Sequence, residues 1–184
     1  MHVITHAIVS WDLAAVTNRQ KKDRITVTLA GVLPDLDGFG AVPEILSRGS
    51  IPWFSAYHHT FGHNLAFGLL YAIVAFFVCG RRVRPALFSL LIFHVHLACD
   101  LVGSAGPDGS VWAIPYFFPF SEWELSWEGQ WALNAWPNIA ITLAGLGFMF
   151  WYAWRNGISL LELISRRADD AFVEALRRRF PKVS

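Results

Sequence analysis

Apolar positions along the chain fall into five runs separated by polar connections. Three of them, 64–80, 85–103 and about 137–154, approach the ~20 residues that a helix needs to cross hydrocarbon. Two weaker runs precede them: residues 3–17, apolar apart from Asp12 and a few hydroxyls, and 25–33, where Pro34 ends a helix. This pattern predicts an all-α fold, a multi-spanning transmembrane helical bundle of about five apolar helices. From about 159 to 180, Leu160, Ile164, Ala168, Phe172, Leu176 and Phe180 recur every fourth residue with Arg between them. That spacing predicts a C-terminal amphipathic helix, lying on a membrane surface, against a partner, or on its own domain. The chain therefore divides into a membrane-embedded domain, 1–158, and a basic cytoplasmic tail, 159–184. It contains no internal repeat and no low-complexity stretch.

Composition strengthens the membrane reading. Charged residues make up 16 % of the chain, against about 25 % in a typical soluble fold. A net charge of +1 gives no reason to expect a nucleic-acid partner. Cys79 and Cys99 form no CxxC pair, which argues against a thiolate zinc site or a disulfide framework. The N-terminal run lacks the basic region and cleavage site of a signal peptide, so it is expected to remain as a structural helix.

The distribution of charge predicts an orientation. Threading the five runs up and down places every Lys and Arg except Arg48 at one end, in the 18–24 and 81–84 connections, at Arg155 and in the tail. Lys/Arg-rich loops stay in the cytoplasm, so the opposite end faces the periplasm or exterior. At 1.5 Å per helical residue, His6, Asp35 and His96 lie at a similar depth, roughly 15–20 Å from the basic end. Cys79 and Cys99 fall near opposite ends, roughly 20 Å apart, too far for a disulfide.

Chemistry-bearing residues gather at the non-basic end: Thr5-His6, Asp35-x-Asp37, His58-His59-x3-His63, His96-x3-Asp100, and the loop carboxylates Glu122, Glu124 and Glu128. His96 and Asp100 are i and i+4 on a helix, so they share a face and can share a metal. His59 and His63 share that spacing if their helix extends back; otherwise His58 and His63 flank its first turn. Burying Asp35 and Asp100 without a cation costs several kcal/mol each, about 3 or more, and almost no Lys or Arg is nearby. A divalent metal removes the imbalance, and mixed imidazole and carboxylate donors point to zinc, with manganese or iron as alternatives. His94 faces elsewhere and is expected to pack or to support the site, and His2 is a minor ligand candidate. Asp12 is expected to hydrogen-bond across the bundle, and Cys99 to pack. The tryptophans on this side form an interfacial belt or a lid over the site.

The order Thr-His, Pro34-Asp35-Leu36-Asp37, His58-x4-His63 and His96-x3-Asp100, followed by a Gly-containing loop and Pro-Phe, resembles the membrane-bound metal-dependent hydrolase family. That family is also described as LexA-binding, inner-membrane-associated hydrolases. The resemblance covers roughly residues 1–125. It implies a metal site distantly similar to that of zinc-dependent phospholipase C, with ligand roles for His6, Asp35, Asp37, His58, His63, His96 and Asp100. Where the family has an Arg, this chain has His59, which removes a phosphate-holding group or adds a ligand.

The expected function is zinc-assisted hydrolysis of a phosphoester in a lipid or lipid-linked substrate at the outer face of the inner membrane. More than one ion can be involved. Asp35 or Asp37 is the expected general base, and the Glu122–Glu128 loop a further source of a ligand or acid. The alternatives are a non-enzymatic metal-binding membrane regulator or transporter, and a di-iron membrane oxygenase.

Overall fold

The structure, a computed structural model, describes residues 1–53, 60–106 and 108–181. Among these every long element is helical: α1 (Val3–Thr17), α2 (Lys21–Leu29), a 3-10 helix at Leu33–Gly40, α3 (Ala41–Leu46), α4 (Leu65–Val78), α5 (Val83–Gly103), α6 (Trp136–Asn156), a second 3-10 turn at Leu160–Leu163, and α7 (Arg166–Arg179). The long connection after α5 contributes two isolated bridges, Ala105 with Ala132 and Ile114 with Leu125, and no strand is described.

The five apolar runs all become helices, but the expected five spans are corrected. Among the described residues α5 is long and apolar enough to cross a bilayer, and the count rises to two if α2 and the segment Leu33–Leu46, bent by 45°, form one span. Length explains most of the difference. At 15 and 14 residues, α1 and α4 reach roughly 21–23 Å, short of the ~30 Å of hydrocarbon. Helix α6 has 21 residues, but Pro137, Asn138, Tyr152 and three tryptophans dilute its apolar run. The second run also shifts, because Lys21, Lys22 and Arg24 are helical and α2 ends at Leu29, before Pro34.

Helix ends follow local chemistry. Asn64 caps α4 by accepting from Phe67 N–H at 2.9 Å, and Ser165 caps α7 through Ala168 N–H at 3.0 Å. Helix α6 opens with Pro137 in its first turn and closes at Gly157, whose φ of 79° is left-handed. At the end of α5 the carbonyls left without helical partners are met by side-chain amides. Gln130 donates to Asp100 and Leu101 carbonyls, and Asn138 to Gly103. These bonds strap the 104–135 connection over the end of α5.

Two helices are central. Helix α1 packs on α2, α5 and α6, and α5 packs on α1, α2 and α4. Trp11, Ala15 and Met149 form one core between α1 and α6; Ala14, Val27, Ala30 and Ile92 another; Phe93, Leu97 and Ile114 a third.

Residues 160–179 do not extend away from this core. The expected single tail helix breaks after the Leu160–Leu163 turn, and Leu160, Leu163 and Phe172 pack on the Trp11 core. Glu162 is buried and bidentate to Arg24, at 2.7 and 2.6 Å, and it also accepts from the Trp11 indole at 3.1 Å. Of the tail's apolar stripe, Leu160 and Phe172 pack on the Trp11 core, while Ile164 and Phe180 are exposed.

Breaking a buried pair leaves an uncompensated charge, which costs about 3–5 kcal/mol. Glu162→Ala is therefore expected to lower the melting temperature in detergent by on the order of 10 °C. The double variant Arg24→Met/Glu162→Leu should recover most of that loss. A single variant that melts with the wild type would show that the pair does not hold the tail.

Candidate metal centre

The site is built by the two central helices and by two short segments pressed against them. Helix α1 supplies His6 from its first turns, and α5 supplies His96 and Asp100 one turn apart. The 3-10 helix supplies Asp35 and Asp37. The residues before α4 supply His63, which lies outside the helix because Asn64 caps it. The expected i, i+4 pairing of His59 with His63 would need a helix running back through His63, and α4 begins after it, at Leu65. His58 and His59 themselves lie outside the described residues.

His6, Asp35, His96 and Asp100 each offer a donor atom within 4.8 Å of every other. His6 Nε2 is 3.0 Å from Asp100 Oδ1 and 4.0 Å from Asp35 Oδ2. His96 Nε2 is 3.0 Å from Asp100 Oδ2 and 3.7 Å from Asp35 Oδ1. His63 joins as a fifth donor, its Nε2 3.1 Å from His96 Nε2, 3.5 Å from Asp100 Oδ2 and 3.7 Å from Asp35 Oδ1. Zinc–donor bonds of about 2.0–2.1 Å in a tetrahedron separate the donors by roughly 3.3 Å, so these spacings suit one coordination shell.

Two outer contacts aim the rings. His96 Nδ1 donates to the Gly31 carbonyl at 3.0 Å, leaving the Nε2 lone pair for the cluster. Asp37 Oδ2 is 3.3 Å from His63 Nδ1, so this carboxylate reaches the cluster through the ring it orients. Both contacts depend on glycine. A Cβ on Gly31 would lie 2.0 Å from Ser10 Oγ, and one on Gly62 would lie 2.3 Å from the Pro34 carbonyl oxygen. With no side chain in the way, the end of α2 nests between α1 and α5, and the His63 segment lies directly on the 3-10 helix.

The electrostatics call for a cation. The side chains of Asp35 and Asp100 are 7 % and 2 % exposed, and those of His63 and His96 are fully buried. Asp35 Oδ2 and Asp100 Oδ2 are buried and accept no hydrogen bond. The Met1 amino group donates to Asp100 and, at 2.5 Å, to Ser104 Oγ. Burial alone would lower the His63 pKa, but the neighbouring carboxylates of Asp100, Asp35 and Asp37 outweigh it and push the pKa up to about 10. Orphaned carboxylate oxygens facing convergent imidazoles fit a divalent metal.

Other sequence candidates lie elsewhere. His94 bonds the Leu90 carbonyl and the Tyr116 hydroxyl, both at 2.8 Å, and so packs α5 against the following loop. Glu122, Glu124 and Glu128 are exposed and do not reach the cluster. Asp12 shows no bond across the bundle: its Oδ1 is buried without a hydrogen bond. His2 is exposed at the edge of a neighbouring cleft, and both cysteines are free. Sequence reasoning missed Gly31, Gly62 and Ser104. The first two act through the absence of a side chain, and the third, at i+4 from Asp100, left only a helical spacing as its signal.

In elemental mass spectrometry of detergent-purified protein, zinc is expected at stoichiometric level in the wild type and absent from His96→Ala/Asp100→Ala. Asp37→Asn should keep the metal but weaken it by about 10–100-fold in a chelator competition, because only the ring's orientation is disturbed. Equal metal content in wild type and double variant would remove the centre.

No curated protein and no solved structure matches the chain. A family profile does, over residues 1–165, which hold α1 to α6, the second 3-10 turn and every residue of the cluster. With that extent of match, the chain belongs to the YdjM inner membrane protein family.

Proposed function

We propose that this inner-membrane protein is a metal-dependent hydrolase acting on a phosphoester of a lipid or lipid-linked substrate at the outer face. The observation that supports this most directly is the convergence of three imidazoles on two buried carboxylates whose outer oxygens have no hydrogen-bond partner. Residues His6, Asp35, His63, His96 and Asp100 would hold zinc, with manganese or iron as the alternative ions. Bound there, the ion supplies positive charge that polarises a phosphoryl oxygen and lowers the pKa of water towards ~7.

The remaining roles belong to the chain. Asp35 lies on the wall of the adjoining cleft, so its carboxylate is placed to take a proton from an attacking water. Asp37 keeps the His63 ring aimed at the cluster, and the Gly31 carbonyl does the same for His96. Asp100, in contact with all three imidazoles, fixes their spacing.

The membrane setting rests on the family and on the surface. Leu70, Ile73 and Phe77 of α4, Leu87 and Leu91 of α5, and Leu143 of α6 are large, apolar and more than half exposed. A bilayer covers such a belt in a way that water does not. In this reading the helices too short to span alone are carried within the bundle around α5. The Lys/Arg end lies in the cytoplasm, and the cluster opens outward.

The test is turnover of a generic phosphodiester and of phospholipids by zinc-loaded protein in detergent. Chelation should abolish activity and zinc restore it. Asp35→Asn should lower kcat by about 10²–10⁴-fold while the protein remains folded. Loss of activity in His96→Ala with zinc still bound would remove the assignment, as would an Asp35→Asn protein as active as wild type.

A further inference from the structure

A cleft of about 940 Å³ adjoins the cluster, between the start of α1, the 32–42 segment and the strapped 104–135 connection. Its lining is of two kinds. His2, Asp35, Ser104 and Asn134 bring polar groups, and the Ser104 hydroxyl donates to Asp100 at 2.9 Å, which links the cleft to the buried donors. Most of the remaining wall is apolar, with Val3, Leu36, Phe39, Val42, Trp112 and Leu133 its larger side chains. Val3, Leu36, Phe39, Val42 and Leu133 are each more than a third exposed, Phe39 by 68 %. A polar solute of that size would leave most of its hydrogen-bonding groups facing hydrocarbon, at a cost of about 1–3 kcal/mol for each one unmet. An apolar chain meets the same wall without penalty, and each buried methylene contributes about 0.8 kcal/mol.

We infer that this cleft binds the hydrocarbon chain of an amphiphilic phosphoester, with the ester at Asp35 and the chain along Leu36, Phe39, Val42 and Leu133. Two observations select this occupant over a second protein. The groove is lined by Asp35, one of the cluster's donors, as well as by apolar side chains, and the protein belongs to an inner-membrane family, where amphiphiles are the abundant ligands. The placement of the ester rests on the hydrolase reading above; the placement of the chain does not. Acyl and isoprenoid chains share this chemistry and are separated by the probes.

The test uses full-length protein with Cys79 and Cys99 replaced by Ala. Single cysteines are introduced as Val42→Cys or Leu133→Cys in the cleft, and as Leu70→Cys on the remote face of α4. Maleimide labelling is timed with butyl, dodecyl and farnesyl phosphonates, which are not hydrolysed. Dodecyl or farnesyl phosphonate should slow labelling at both cleft positions by about tenfold or more, butyl should not, and Leu70→Cys should be unaffected. Whichever long chain protects more identifies the class. Equal slowing at Leu70→Cys means partition into the detergent and overturns the inference, as does labelling in the cleft that no phosphonate slows. Turnover of phosphoesters is measured in parallel. Hydrolysis without chain protection leaves the enzyme standing and removes the cleft; protection without hydrolysis of any ester does the reverse.

Discussion

Asp100 sits on the inner face of α5 with His6, Ser104 and the Met1 amino group at one oxygen and two further imidazoles near the other. A carboxylate in such a place needs either a counter-charge or a full set of donors, and the neighbouring Asp35 makes the same demand from the opposite wall. Most of the local structure can be derived from this demand. Three histidines have to arrive from three different segments. The His63 segment has to lie against the 3-10 helix, and α2 has to stop early enough for the Gly31 carbonyl in the following turn to face His96.

The other end of the bundle satisfies buried charge differently. There Glu162 meets a guanidinium and an indole N–H, and Asp23 meets Arg82 at 2.7 and 2.5 Å. Each of those carboxylates meets donors from elsewhere in the chain. At the cluster, by contrast, two carboxylate oxygens have none. Similar residue types thus do two jobs in one small bundle. Closed ion pairs fix the ends of α1, α2 and the tail, while an open set of donors can take up something from outside the chain.

Helix positions were largely legible in the sequence because apolar runs act locally, the second run excepted, where α2 ends at Leu29 ahead of Pro34. Their number as membrane spans was not. Spanning depends on length and continuity together, and the runs at α1 and α4 are short while aromatic and polar residues interrupt α6. In the cluster, the helical spacing of His96 and Asp100 was readable, and so were the similar depth of His6, Asp35 and His96 and the place of His63 at the same end of the bundle. The part played by Asp37 was not, since contact with the outer nitrogen of a histidine leaves no trace in spacing. Glu122, Glu124 and Glu128 read as candidates only because acidic residues near a cluster look alike until burial is known. The tail's apolar stripe was equally plain, yet its partner, the Trp11 core, comes from the far end of the chain and has no local signature.

Gly31 ties the chemistry to the packing in a further way. Its carbonyl aims His96, while the vacant space at its Cα is filled by Ser10 from α1 and Ile92 from α5. Three helices therefore share one small volume with the acceptor that orients a ring. A change in bulk at Ser10 or Ile92, neither of which bears on the cluster directly, would displace that acceptor and turn the imidazole with it. The geometry of the cluster is then tuned by helix-to-helix distance, so substitutions that look like ordinary changes of size reach its donor atoms.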